Sequence, residues 1–281
     1  MRRFCRTTSK TRTSSLRAAE LVLLLLVACC AIAACGSGSS SSSSSKTTID
    51  EPVLRQLPRA PEPSGAPPAQ AGTSTSEQRA YLTAVFHDTQ ALWLREFGAA
   101  NQAYRPAGLT LFSQAVQSGC GKQADVGPFY CPASLGIYLD LNFFRLLQQR
   151  FGIGGFAQAY IIGHEFGHHV QNLLGINRQV AAANQADPAG ENARSVRVEL
   201  QADCLAGVWA HSVYQRGQLT DDDLNQALRT AQVIGDDFQQ QMAGHRVDSG
   251  LWTHGSSALR QQWLKTGFES GEPGSCDTFR Q

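Results

Sequence analysis

The stretch from Phe156 to Leu174 is apolar and helix-compatible, yet it carries His164-Glu165-Phe166-Gly167-His168 at its centre. Of all the features of the 281-residue chain, this one restricts the fold most. A helical period of about 3.6 residues puts His164 and His168 on one face, a turn apart, so both imidazoles can share a metal ion. Glu165 lies about 100° further round the axis. There its carboxylate is beside such an ion and can take a proton from a water. Two imidazoles do not complete a catalytic zinc site, which takes three protein ligands and leaves a fourth position open. A neighbouring helix must therefore bring the missing His, Asp or Glu.

The best candidate is Glu199, in Val198-Glu199-Leu200-Gln201-Ala202-Asp203-Cys204. Glu199 and Asp203 are again four apart and share a face. Glu199 can bind the metal, while Asp203 can accept a hydrogen bond from the free ring nitrogen of a ligating histidine and fix its tautomer. The competing reading is a solvated helix face with Glu199 paired to Arg197 or Arg194. His169 points away from His168 and is not assigned to the metal; a supporting or surface role is expected. The missing side chain of Gly167 would let a strand or substrate come close. His254, in Thr253-His254-Gly255-Ser256-Ser257, is the candidate donor for a developing oxyanion, with Arg260 and Tyr214 as alternatives. A loop histidine bonded only to backbone is the bland reading of the same residue. His87, His211 and His245 have no motif around them and read as structural.

Residues 1–34 read as a lipoprotein signal peptide. Arg2, Arg3, Arg6, Lys10, Arg12 and Arg17 make a basic start, and Leu21 to Ala34 is an apolar run of signal-core length, short for a membrane span. Ile32-Ala33-Ala34-Cys35-Gly36 has the form of a lipobox, in which Cys35 carries the lipid; an uncleaved or simply secreted segment is the alternative. Loss of the leader removes six basic residues and Glu20, taking the formal charge from +1 to −4. A mildly acidic chain without a basic run is a poor nucleic-acid binder. Residues 35–75, rich first in Ser and then in Pro, Ala and Gly, read as a flexible tether that holds a domain at 76–281 away from a membrane. The expected location is the cell envelope, outside the cytoplasm, with a lipid anchor.

Cys120, Cys131, Cys204 and Cys276 lie beyond the leader and Cys35, an even number suited to an oxidising compartment. Four cysteines allow three pairings. Cys120–Cys131 would close a short Gly-rich loop, and Cys204–Cys276 would tie the C-terminal tail to a helix. Free or metal-binding thiols are the alternative, which the lack of any Cys-x-x-Cys pair opposes.

Apolar spacing predicts helices over Glu77 to Ala99, Leu141 to Phe151, Glu191 to Gln215, Asp221 to Met242 and Ser256 to Thr266, besides the motif helix. Short strands are expected at 110–112, 129–131 and 136–140, between Gly and Pro turns. A small strand layer followed by several helices indicates an α+β fold, mainly helical.

On these residues the chain resembles the bacterial family named "Putative neutral zinc metallopeptidase". The similarity runs from about Glu77 to Phe279. It is carried by Gly127-Pro128-Phe129-Tyr130-Cys131-Pro132, by Ile137-Tyr138-Leu139-Asp140-Leu141, and by Ile162 to Asn172 around the histidine motif. It continues in Glu199-Leu200-Gln201-Ala202-Asp203-Cys204 and in His254-Gly255-Ser256-Ser257. More distantly, the Glu-x-x-x-Asp arrangement is similar to the gluzincins. The resemblance implies a zincin-like domain and one zinc ion at His164, His168 and Glu199, with Glu165 as general base, but little about the substrate, which is expected to be a peptide or protein. The expected activity is zinc-dependent peptide-bond hydrolysis, a metalloendopeptidase. The strand at 137–140 is expected to pair with extended substrate backbone. Two rival readings stay open: a catalytically silent, lipid-anchored scaffold that has kept its zinc, and a metal-dependent hydrolase of a non-peptide envelope substrate.

Overall fold

The computed structural model describes residues 49, 54–57, 75–124 and 126–280. The leader, Cys35 and most of the 35–75 tether lie outside the described residues. The described part of that tether corrects the reading from composition. Leu54 and Leu57 are buried in the main core, Ile49 packs with Ile176 and Val180, and Arg55 pairs with Asp277 at 3.2 Å. At the described positions the aliphatic side chains of Ile49, Leu54 and Leu57 are seated on the fold, a signal that averaging over the stretch conceals.

Helix α1 (Thr75–Ala99) buries Leu82, Val85, Phe86, Leu92, Trp93 and Phe97 at the spacing of one helical face. Strands β1 (Gly108–Phe112), β4 (Phe129–Cys131) and β5 (Gly136–Asp140) form a three-stranded sheet in the order β1-β5-β4. β5 is parallel to β1 and antiparallel to β4. β2 (Ala115–Ser118) and β3 (Gly121–Ala124) form a separate hairpin. β5 is buried along its whole length and runs straight into helix α2 (Leu141–Phe151), whose first turn is capped by Asp140 accepting from the Asn142 N–H.

Six further helices follow: α3 (Phe156–Leu173), α4 (Ile176–Ala186), α5 (Glu191–Gln215), α6 (Asp221–Val233), α7 (Asp236–Met242) and α8 (Ser257–Ser270). α3 and α5 form the centre, with α1 against α3 and α8 against α5. The result is a mainly helical α+β fold. Both expected disulfides are present, Cys120–Cys131 and Cys204–Cys276.

Three departures from the sequence reading have local causes. The expected helix at 221–242 is two helices, broken at Ile234-Gly235. A side chain at Gly235 would lie 2.5 Å from the Ser257 backbone nitrogen, so the approach of α8 dictates the break. α4 is not expected from the sequence: it buries Ile176, Val180 and Ala183 at helical spacing, but three small or aliphatic side chains among polar ones make a faint stripe. The β2–β3 hairpin has mixed, half-exposed strands and so lacks the alternation that marks a strand on a core.

Candidate metal centre

Gly167 determines how closely the two central helices meet. A Cβ there would lie 2.7 Å from the Ala202 Cα of α5. The space left by its missing side chain is filled by the helix that carries Glu199, not by a strand or substrate. On the far side of α5, a Cβ on Gly267 would sit 1.9 Å from the Cys204 carbonyl oxygen, so α8 is drawn in just as tightly.

These approaches bring three donor atoms together. His164 Nε2 is 3.1 Å from His168 Nε2 and 3.2 Å from Glu199 Oε2, and His168 Nε2 is 3.4 Å from Glu199 Oε1. Glu199 is therefore turned to the histidines. Its proposed competitors go elsewhere: Arg194 pairs with Asp187, and Arg197 donates to the Thr278 carbonyl. Each imidazole is held at its other nitrogen, His164 Nδ1 by Asp203 Oδ1 at 2.8 Å and His168 Nδ1 by Gln171 Oε1 at 2.9 Å. Both acceptors require Nδ1–H, which leaves two Nε2 lone pairs facing each other beside a carboxylate. Such a cluster needs a positive charge among its atoms, either a proton on His164 or a metal ion. Zinc bonds of roughly 2.0–2.1 Å at tetrahedral angles separate donor atoms by about 3.3 Å. The three residues fit a zinc ion in donor type, tautomer and spacing.

Asp203 is the hub behind His164. Fully buried, it accepts from His164 Nδ1, from the Tyr160 hydroxyl at 2.6 Å, and from both Nε and Nη2 of Arg260 at 2.8 and 2.9 Å. Burial pushes its carboxyl up, but Arg260 and His164 outweigh this and hold it below the usual range. Burial alone would lower His164. Asp203 and Glu199 reverse that and raise it to about 10. His168 is lowered, chiefly by burial. Glu199 is held well below its ordinary value by His168, His254 and His164, against the cost of its burial.

Glu165 is buried beside the cluster, with the Tyr130 backbone N–H of strand β4 near enough to favour its charged form. Burial, aided by Glu199, pushes its carboxyl up to about 7 against the pull of His164, Arg260 and that N–H. His169 is fully buried and serves as a strut, with no part in the cluster. Nε2–H donates to the Arg105 carbonyl at 2.8 Å, and Nδ1 accepts from the Tyr130 hydroxyl at 3.1 Å, which itself accepts from Asn172. Burial, the largest cause, lowers it to about 4, so it is neutral.

His254 stands in a loop folded around one carboxylate. Asp236 Oδ2 accepts from the backbone N–H groups of Thr253, His254 and Gly255 at 2.8, 2.7 and 2.9 Å, and Asp236 Oδ1 faces His254 Nδ1 at 3.3 Å. Burial lowers His254, but Glu199 and Asp236 raise it overall, and its charge in turn depresses Glu199. The two alternative oxyanion donors fall away. Arg260 is buried with its fork on Asp203 and its Nη2 3.9 Å from Glu199 Oε2, which leaves no donor free for an oxyanion, and Tyr214 is 44% exposed and packs on Phe268. Sequence reasoning missed Tyr160 and Gln171. Both had a signal, lying four before His164 and three after His168 on the same helical face. Arg260 comes from a distant helix, and no spacing ties it to Asp203.

Residues 55–279 match the family model described as "Putative neutral zinc metallopeptidase", and the chain belongs to that family. It is 44% identical over 206 residues to the Escherichia coli strain K12 protein named "Uncharacterized protein YpfJ", covering 72% of each chain. It is 45% identical over 184 residues to "Uncharacterized protein Rv2575" of Mycobacterium tuberculosis strain H37Rv, covering 61% of each. No solved structure matches the chain.

Proposed function

We propose that this protein is a zinc-dependent metalloendopeptidase. The observation that carries this reading is the meeting of His164 Nε2, His168 Nε2 and Glu199 around one point, with Glu165 buried beside it. His164, His168 and Glu199 would hold one zinc ion. Zinc, when bound, polarises a carbonyl and makes a water acidic near neutral pH. Glu165 is placed to take the proton of the attacking water and to pass it to the leaving nitrogen. Burial keeps its carboxylate basic enough to accept. His254, oriented by Asp236, offers the charge or hydrogen bond that a developing oxyanion needs.

The expected substrate strand needs correction. β5 is the central strand, with β1 along its whole length and β4 against Gly136 to Tyr138, so on the β4 side only Leu139 and Asp140 extend beyond the ladder. β4 is an edge strand, and its Tyr130 N–H lies near enough to Glu165 to favour the charged carboxylate. An extended peptide added there would lie along the site. The two disulfides and the leader sequence support action at the cell envelope, with a peptide or protein as substrate.

The test is Glu165→Gln, with unfolded proteins as substrates and a chelator control. The variant should bind zinc like the parent and lose roughly 10²–10⁴-fold in turnover. Undiminished turnover would remove Glu165 from the chemistry.

A further inference from the structure

The C-terminal tail is laid along the part of α5 that carries Glu199 and Asp203. Thr278 and Arg197 exchange hydrogen bonds, each donating from its side chain to the other's carbonyl at 2.8 Å. One turn further on, the Cys276 carbonyl accepts from Gln201 Nε2 at 3.0 Å, and Cys276 is bonded to Cys204. Gln201 is fully buried, and its Oε1 accepts from Gln171 Nε2 at 3.0 Å. Gln171, also fully buried, donates from the same nitrogen to the Val198 carbonyl at 2.7 Å. Its remaining atom, Oε1, meets His168 Nδ1.

Each link in this chain can point only one way. A carbonyl accepts and never donates. Cys276 therefore takes the Gln201 amide N–H, which turns Gln201 Oε1 toward Gln171. Val198 and Gln201 then take both N–H groups of Gln171, which leaves Oε1 for the histidine. His168 must carry its proton on Nδ1 and present a bare Nε2 to the cluster. Gln171 also grips the backbone one residue before Glu199, so a single buried amide ties the second ligand to the third.

We propose that Gln171 and Gln201 are positioning residues for the metal centre, and that the Cys204–Cys276 tie holds them in register, so that the tail acts as an outer wall of the site. The inference rests on the zinc reading above, and its test separates the two. Zinc affinity is measured by competition with a chromophoric chelator, and geometry by the visible spectrum of the cobalt-substituted protein. Unfolding of the metal-free form is followed in parallel. The variants are Gln171→Ala, Gln201→Leu, the double variant Cys204→Ala/Cys276→Ala, and His168→Ala as the control.

Gln171→Ala should weaken zinc binding by roughly 10–100-fold, the usual effect of removing the partner behind a ligating histidine. Gln201→Leu and the double cysteine variant should each weaken it several-fold and shift the cobalt spectrum. If Gln201→Leu and the double variant keep wild-type zinc affinity and cobalt spectrum, losing only stability of the metal-free form, the tail is structural and the proposal fails while the metal centre stands. If His168→Ala also keeps wild-type zinc affinity, the metal centre itself is wrong and the relay falls with it.

Discussion

The two histidine-bearing regions of the site are built in opposite ways. His164 and His168 sit on a helix pressed against another helix at Gly167, and their outer nitrogens meet fully buried groups, Asp203 and Gln171. His254 sits in the loop between α7 and α8, with its side chain 29% exposed, and depends on one carboxylate, Asp236, that gathers three consecutive backbone N–H groups. The first region gives up adjustability for fixed geometry, as a metal site requires. The second is held mainly by hydrogen bonds to that carboxylate, and its imidazole stays partly open to solvent.

Two substitutions can break this contrast. The larger effect is expected in the buried half. Arg260→Ala strips the fork from Asp203 and leaves a buried carboxylate short of its main counter-charge, which costs about 3–5 kcal/mol. Urea unfolding of the metal-free protein measures this, and a loss under 1 kcal/mol would mean that Asp203 is less dependent on Arg260 than its geometry implies. The smaller effect on the fold is expected in the loop. His254→Gln should leave zinc affinity and unfolding midpoint near those of the parent while turnover falls by roughly 10²–10³-fold. A variant that loses zinc instead would place His254 among the ligands and erase the division between the two halves.

Much of the buried half was legible in the sequence because helices encode it locally. His164 with His168, and Glu199 with Asp203, are pairs four apart, and that spacing alone puts each pair on one face. The disulfides followed from an even cysteine count and loop geometry. What could not be read is what arrives from far along the chain. Arg260 lies on a helix whose sequence says nothing about Asp203. Gly235 looks like a tolerable helix interruption until α8 is placed against it. The tail's grip on α5 needs both partners folded before Gln201 has anything to donate to. The seat of Leu54 and Leu57 was hidden for another reason, since composition averages over the few side chains that matter.

The central claim is that two imidazoles and one carboxylate close on a single zinc ion. A crystal structure of the zinc-loaded protein, with anomalous maps above and below the zinc edge, tests it most directly. The account predicts one zinc peak bonded to His164 Nε2, His168 Nε2 and Glu199. A peak held by other residues, or none where these three atoms meet, would contradict it.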